Sequence, residues 1–232
     1  MKKVILPIVF VAVLLPAALA AQDSCRWSMR AYGLFDTHYG SRTLGGVAAL
    51  AQWRQSEGYA LGFGAELATT GRCSLTLYGR ANIIDKFYLE NRYLYRQFAS
   101  LDRQEFSGAL MVGYANNHWD FCVGLSNRYS AALVQRTDGG MGTMFEPMNP
   151  QFRVEGWWNG RDSRWNVGGR FSNMNDFMME RFAVWTYSVC GYYVLASGIR
   201  LEAEAGLHPV GSLNLTASYD GFYIHMGAGW HF

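Results

Sequence analysis

From residue 27 to the C-terminus, apolar side chains recur at every second position in one short segment after another. The last segment is the clearest: Phe222, Ile224, Met226, Ala228, Trp230 and Phe232 share one face, and Tyr223, His225, Gly227, Gly229 and His231 share the other. Upstream, Ile199, Leu201, Ala203, Ala205 and Leu207 oppose Arg200, Glu202, Glu204, Gly206 and His208, and Leu75, Leu77, Gly79 and Ala81 oppose Ser74, Thr76, Tyr78 and Arg80. A period of two is that of an extended strand, whose successive side chains point to opposite faces. After residue 20 no run approaches the roughly 20 consecutive apolar residues that a membrane helix requires. The chain reads as all-β, each strand carrying one apolar and one polar face.

Two architectures satisfy such strands. In a soluble sandwich two apolar faces meet and the polar faces see water. In a membrane barrel the apolar face meets lipid and the polar face lines the lumen. The N-terminus favours the second. Lys2 and Lys3 precede an apolar run from Val4 to Leu15, and Ala18-Leu19-Ala20 is a small-x-small cleavage site. Residues 1–20 therefore read as a secretory signal peptide removed near Ala20. An N-terminal anchor fits less well, because the apolar run is short and holds Pro7 and Pro16. Residues 21–232 are expected to form one domain. Tryptophans near strand ends (Trp27, Trp53, Trp119, Trp158, Trp165, Trp185, Trp230) match the aromatic girdles of membrane interfaces.

Composition excludes other classes. A hydrophobic content of 50% excludes a disordered chain. Without Lys2 and Lys3, eighteen basic residues balance eighteen acidic ones, so no nucleic-acid partner is expected. Of those eighteen, only Lys86 is lysine. Arginine is preferred where a charge is held in fixed, paired geometry, which points to enclosed charges.

The stretch Phe222-Tyr-Ile-His-Met-Gly-Ala-Gly-Trp-His-Phe232 resembles the final strand of Gram-negative outer-membrane β-barrel proteins. In that class a terminal phenylalanine behind alternating apolar residues is read by the barrel assembly machinery. The resemblance implies a monomeric transmembrane antiparallel up-and-down β-barrel in the outer membrane. Phe232 and Trp230 would be its assembly signal, and outer-membrane lipid would surround it. It leaves the activity open, because small barrels have diverse functions.

Thirteen segments qualify as strands: 27–35, 46–54, 59–68, 73–83, 87–97, 105–115, 118–134, 151–159, 164–173, 183–195, 199–207, 212–219 and 222–232. A single-chain bacterial barrel has an even number. Twelve strands are expected, with ten as the alternative, and the segment to be lost is 27–35 or part of 73–97. Asp220-Gly221 reads as a two-residue hairpin turn. Pro147, Pro150 and Pro209 fall between strands, as a residue without an N–H should. This parse puts the 135–150 and 174–182 connections on the periplasmic side, against the usual rule that long connections lie outside.

The inward faces carry the candidate functional residues. Arg80, Arg92, Arg128, Arg153, Arg170 and Arg200, with Glu202, Glu204 and His225, are expected to line the lumen. Such a set suits a narrow passage or binding site for small polar or anionic solutes. The competing reading is a lumen closed by its own cross-strand salt bridges. A lipid-modifying enzyme is the alternative from another class. The Asp220-Gly221 turn would pair Thr216 with His225, and Glu204 would complete a luminal row, although a hydrogen-bonded row explains it better. No catalytic residue, metal site or cofactor is assigned. The segments 144–150 and 173–182, rich in methionine and aromatics, suit tucking into a barrel mouth or docking another envelope protein. Cys25, Cys73, Cys122 and Cys190 permit disulfides, but free buried thiols fit as well.

Overall fold

The computed structural model describes residues 25–37, 43–55, 58–99, 103–133, 141–174, 185–209 and 219–231. These form twelve strands: β1 (Cys25–Thr37), β2 (Thr43–Gln55), β3 (Tyr59–Ala68), β4 (Arg72–Ile84), β5 (Phe87–Phe98), β6 (Arg103–Ala115), β7 (Trp119–Leu133), β8 (Met141–Trp157), β9 (Trp165–Ser172), β10 (Thr186–Val194), β11 (Arg200–Pro209) and β12 (Tyr219–His231). Each pairs antiparallel with its neighbour in sequence, and β12 pairs with β1 from Ser28↔His231 to Asp36↔Tyr223, which closes the barrel. Closure matters physically. In hydrocarbon an unpaired backbone group finds no water, so only a ring of strands satisfies every ladder. Among the described residues no helix is long and apolar enough to cross a membrane.

Polarity is inverted relative to a water-soluble domain. The buried residues include Glu66, Arg72, Arg96, Glu105, Asp120 and Asn166, while Phe63, Leu67, Leu110, Val123, Val189 and Met226 stand exposed on the outer wall. Lys, Arg, Asp and Glu are almost never fully buried in soluble proteins unless paired. An apolar outer wall around a charged interior is the pattern of a barrel surrounded by lipid. Trp27, Tyr59, Phe87, Trp119, Trp158, Trp165 and Trp230 are exposed at the strand ends nearest the chain termini, where an interfacial belt belongs. Trp53 lies opposite Trp27 on the same face but is buried among its neighbours. Trp185 packs between Phe152 and Phe171, with ring centroids 4.5 and 5.0 Å away.

The strand count is the expected twelve, but the segment that drops out is neither of those expected to. Segment 27–35 is the core of β1, paired on both edges. Segment 73–97 is two strands, turning at Asp85, whose φ of 45° is one that aspartate tolerates. The separate strand at 212–219 gives way: residues 210–218 lie outside the described residues, and β11 pairs directly with β12. Asp220-Gly221 is correspondingly no hairpin turn. Gly221 lies within β12 opposite His208. A two-residue turn there would give up the pairing of Gly221 with His208 and of Tyr219 with Pro209, which carries β12 to the end of β11.

This shift reverses the direction assigned to every upstream strand and removes the orientation conflict. The two longest connections, 173–185 and 210–218, now leave from the end away from the termini, whereas the termini side holds shorter ones, from the turn 85–86 up to 158–164. Long loops on one rim and short turns on the other are usual for bacterial barrels.

The prolines also depart from expectation. Pro147 and Pro150 lie within β8, and Pro209 is the last residue of β11. The β8–β9 ladder covers only Arg153 to Trp157, so both β8 prolines sit beyond it, along an edge that needs no N–H. The register with β7 also shifts beside Pro147, between Ser126 and Arg128, and Met148 there has a φ of 53°. Segment 144–150 is thus strand rather than connection. Asn173 covers part of that edge: its Oδ1 accepts from the Phe152 N–H at 2.7 Å and its Nδ2 donates to the Pro150 carbonyl at 3.0 Å.

Candidate functional site

Five aromatic side chains on the inner wall lie over glycines that face them across a ladder. Tyr32 covers Gly227, Tyr78 covers Gly62, Tyr88 covers Gly113, Tyr223 covers Gly206 and Trp157 covers Gly168. A missing Cβ lets each ring lie flat against the wall, so large side chains line the lumen without filling it. Their hydroxyls then reach charged neighbours. Tyr32 donates to Glu202 at 2.8 Å, Tyr223 to Glu204 at 2.8 Å, and Tyr88 to Asp120.

The space left holds one charged cavity of about 450 Å³. Eight arginines line it (Arg30, Arg54, Arg80, Arg92, Arg153, Arg161, Arg170, Arg200) with six acids (Glu90, Asp120, Glu155, Asp162, Glu202, Glu204). Strands of alternating polarity place these groups inside, and register decides which meet. Asp120 accepts from Arg80 at 3.0 Å, from Arg153 at 3.4 Å and from Arg161 at 3.2 Å. Glu90 pairs with Arg92 at 2.8 Å and Arg153 at 3.4 Å. Glu155 meets Arg170 at 2.8 Å and Arg161 at 3.4 Å, and Arg170 continues to Glu204 at 2.9 Å. Glu202 is shared by Arg200 at 2.7 Å and Arg30 at 3.7 Å. Two guanidiniums stack on aromatic faces, Arg80 at 3.4 Å from the Tyr88 centroid and Arg200 at 3.7 Å from that of Tyr192. Each carboxylate among Glu90, Asp120, Glu155 and Glu202 serves two or more arginines. The wall is ordered by ion pairs yet retains an excess of positive charge.

Of the residues singled out from the sequence, Arg80, Arg92, Arg153, Arg170, Arg200, Glu202, Glu204 and His225 lie on this cavity. Arg128 does not. It faces inward nearer the rim with the long connections, where it meets Glu105 at 3.2 Å and Glu146 at 3.4 Å. Glu66 pairs with Arg72 towards the same rim. Trp230 is exposed on the outer wall, and Phe232 lies outside the described residues. The row drawn through Glu204, Thr216 and His225 is not the one the register makes. Glu204 faces His225 directly, and Thr216 is outside the described residues. Glu204 is held by Arg170 and Tyr223, and the His225 ring packs 4.8 Å from that of Tyr223.

The sequence reading missed Arg161, which enters the cavity from a turn and carries no periodic signal. It also missed the tyrosine–glycine pairs, which exist only once register is known. Of the methionine-rich 173–182 segment, Asn173 and Met174 are buried. Met174 lies against Cys122, with sulfurs 3.9 Å apart, beside Tyr88 and Met111; residues 175–184 are outside the described residues. Cys122 and Cys190 are buried free thiols on the inner wall, and Cys73 is a free thiol exposed on the outer one.

The closed barrel has counterparts of known structure. The KdgM porin, solved in complex with disordered oligogalacturonate, superposes with a TM-score of 0.54 at 10% identity, over 88% of this chain and 99% of that one. The fold is that of the Gram-negative outer-membrane β-barrels. Within it, the NanC porin matches at a TM-score of 0.51 and 12% identity, over 87% of this chain and 98% of that one. The translocator domain of the autotransporter NalP from Neisseria meningitidis matches at 0.52 and 13% identity, over 97% and 96%. No family model matches the chain, and no curated protein does so by sequence.

Proposed function

We propose that this protein is an outer-membrane channel that passes small polar solutes through its lumen, with a preference for anions. The observation that carries the reading is the 450 Å³ cavity inside a closed barrel, lined by eight arginines against six acids. Guanidinium is planar, permanently charged and weakly hydrated, so an array of it can hand a carboxylate or phosphate along by exchanging paired hydrogen bonds. The carboxylates between the arginines keep each one weakly enough committed for a solute to leave as well as enter. The apolar outer wall and aromatic belt suit the outer membrane, and the porins of the same fold are consistent with passage.

The test is single-channel recording of the refolded mature protein in a planar bilayer, with selectivity taken from reversal potentials in a salt gradient. Steps with an anion-favouring reversal potential, moved towards zero by Arg80→Gln, are expected. A correctly folded, heat-modifiable barrel that passes no current refutes the reading.

A further inference from the structure

The connection 158–164 between β8 and β9 differs from a simple turn in how firmly it is tied across the barrel mouth on the side of the termini. Gly160 is buried with a φ of 76°, in a place where a Cβ would stand 2.7 Å from the Asn117 amide nitrogen. Its carbonyl accepts from Asn166 Nδ2 at 2.5 Å and from Ser163 Oγ at 2.8 Å. The next residue, Arg161, is fixed from two sides. Its N–H donates to the Asn117 carbonyl at 2.8 Å and to Asn117 Oδ1 at 2.6 Å, from the β6–β7 turn. Its carbonyl accepts from the Tyr192 hydroxyl of β10 at 2.7 Å. The backbone of one turn residue is thereby clamped between elements three strands apart.

The clamp sends the Arg161 guanidinium to a place where the strands have made an electrostatic problem. Asp120 of β7 and Glu155 of β8 are register partners, and both are buried. Like charges directly opposite on a sheet repel. Arg161 reaches both, 3.2 Å from Asp120 and 3.4 Å from Glu155. The other arginines on this pair, Arg80, Arg153 and Arg170, come from strands and have further partners or a stacked ring. Arg161 contacts no carboxylate beyond these two in the described structure, and its side chain keeps 31% exposure towards the lumen.

We propose that Arg161 is the selectivity-determining residue of this mouth. Asp120 and Glu155 are already paired with Arg80, Arg153 and Arg170, so Arg161 adds a surplus positive charge to the pair and is the guanidinium of this cluster that stays most exposed to the passage. The proposal rests on the channel reading above and names the position that sets its charge preference. With Arg161 in place an entering anion meets a guanidinium. Without it the mouth loses one positive charge at its most exposed guanidinium, and its preference shifts towards cations.

The experiment is reversal-potential measurement on the full mature barrel, wild type and variants, each shown to be folded by heat-modifiability. Arg161→Gln is expected to lower the anion-to-cation permeability ratio at least about twofold, and Arg161→Lys to retain most of it. Adding Glu155→Gln to Arg161→Gln should restore the ratio, because one carboxylate is then gone. Asn117→Ala, which frees one of the two bonds to the Arg161 N–H and alters no charge, should raise open-channel noise. An unchanged ratio in Arg161→Gln, with Arg80→Gln still lowering it, overturns the assignment and leaves the channel standing. Absence of current in both wild type and Arg161→Gln overturns the channel reading itself.

Discussion

Replacing Gly113 by alanine tests whether the lumen is held open by rings lying on glycines. A methyl group there would stand within 2.7 Å of three atoms of Tyr88, which is wholly buried. Two responses are open to the barrel. If β6 moves away, the ladder with β5 is strained as in an overpacked core, at about 1–3 kcal/mol. If the ring swings off the wall, Tyr88 loses its hydrogen bond to the Asp120 carboxylate, worth about 1.5–3 kcal/mol. It also loses the Arg80 guanidinium stacked 3.4 Å from its centroid, worth about 0.5–2 kcal/mol. The first route thus costs about 1–3 kcal/mol and the second about 2–5 kcal/mol, and the second also drives a phenol into the cavity. The assay is reversible urea unfolding of the barrel in lipid vesicles, followed by tryptophan fluorescence. The same substitution is then made in a Tyr88→Ala background, where the methyl meets open space. A cost for Gly113→Ala below about 0.5 kcal/mol refutes the reasoning, and so does a cost that persists undiminished without the ring.

Other expectations follow from the same geometry. Asp120→Asn removes the carboxylate on which Arg80, Arg153 and Arg161 converge, and should cost about 3 kcal/mol in the same titration, at the low end for a broken buried pair because the lumen admits water. Asn173→Ala should speed hydrogen exchange at the Phe152 amide by about fivefold, the loss of one hydrogen bond to that N–H worth roughly 1 kcal/mol. With Cys25, Cys122 and Cys190 replaced by serine, Cys73 should react in vesicles with a lipid-soluble maleimide. It should resist a charged, water-soluble one until the barrel is unfolded, and ready labelling by the charged reagent would contradict its place on the outer wall.

How much of this was legible beforehand follows from which signals are local. Alternation at Phe222–Trp230 or Leu75–Arg80 needs no partner to be read, so the two faces follow from it, while the barrel, and with it the inward arginines, needed the N-terminal leader pattern and the final-strand resemblance as well. Turns depend on competition that the sequence does not display. Asp220-Gly221 has turn chemistry, but the ladder of β12 with β11 runs on past it. Pro147 and Pro150 look like breaks until the shortness of β9 shows that this stretch of β8 needs no second partner. Arg161 was invisible for another reason: Asn159-Gly160 marks a turn, but nothing in those residues tells that the turn folds inward onto Asn117 and Tyr192. The tyrosine–glycine pairs lie as far apart in sequence as Tyr32 and Gly227, and only the closing register brings them together.

That closing register has a consequence for how the molecule comes into being. Glu202 of β11 receives the Tyr32 hydroxyl and the Arg30 guanidinium from β1, reaching over the glycines of β12. The residues of β12 thus lie between the first strand and the penultimate one. Until they arrive, the chain has two raw edges and an arginine array only partly neutralised. Completion of the wall and completion of the charge pattern inside it are one event, so a barrel lacking β12 has neither a closed wall nor a finished interior.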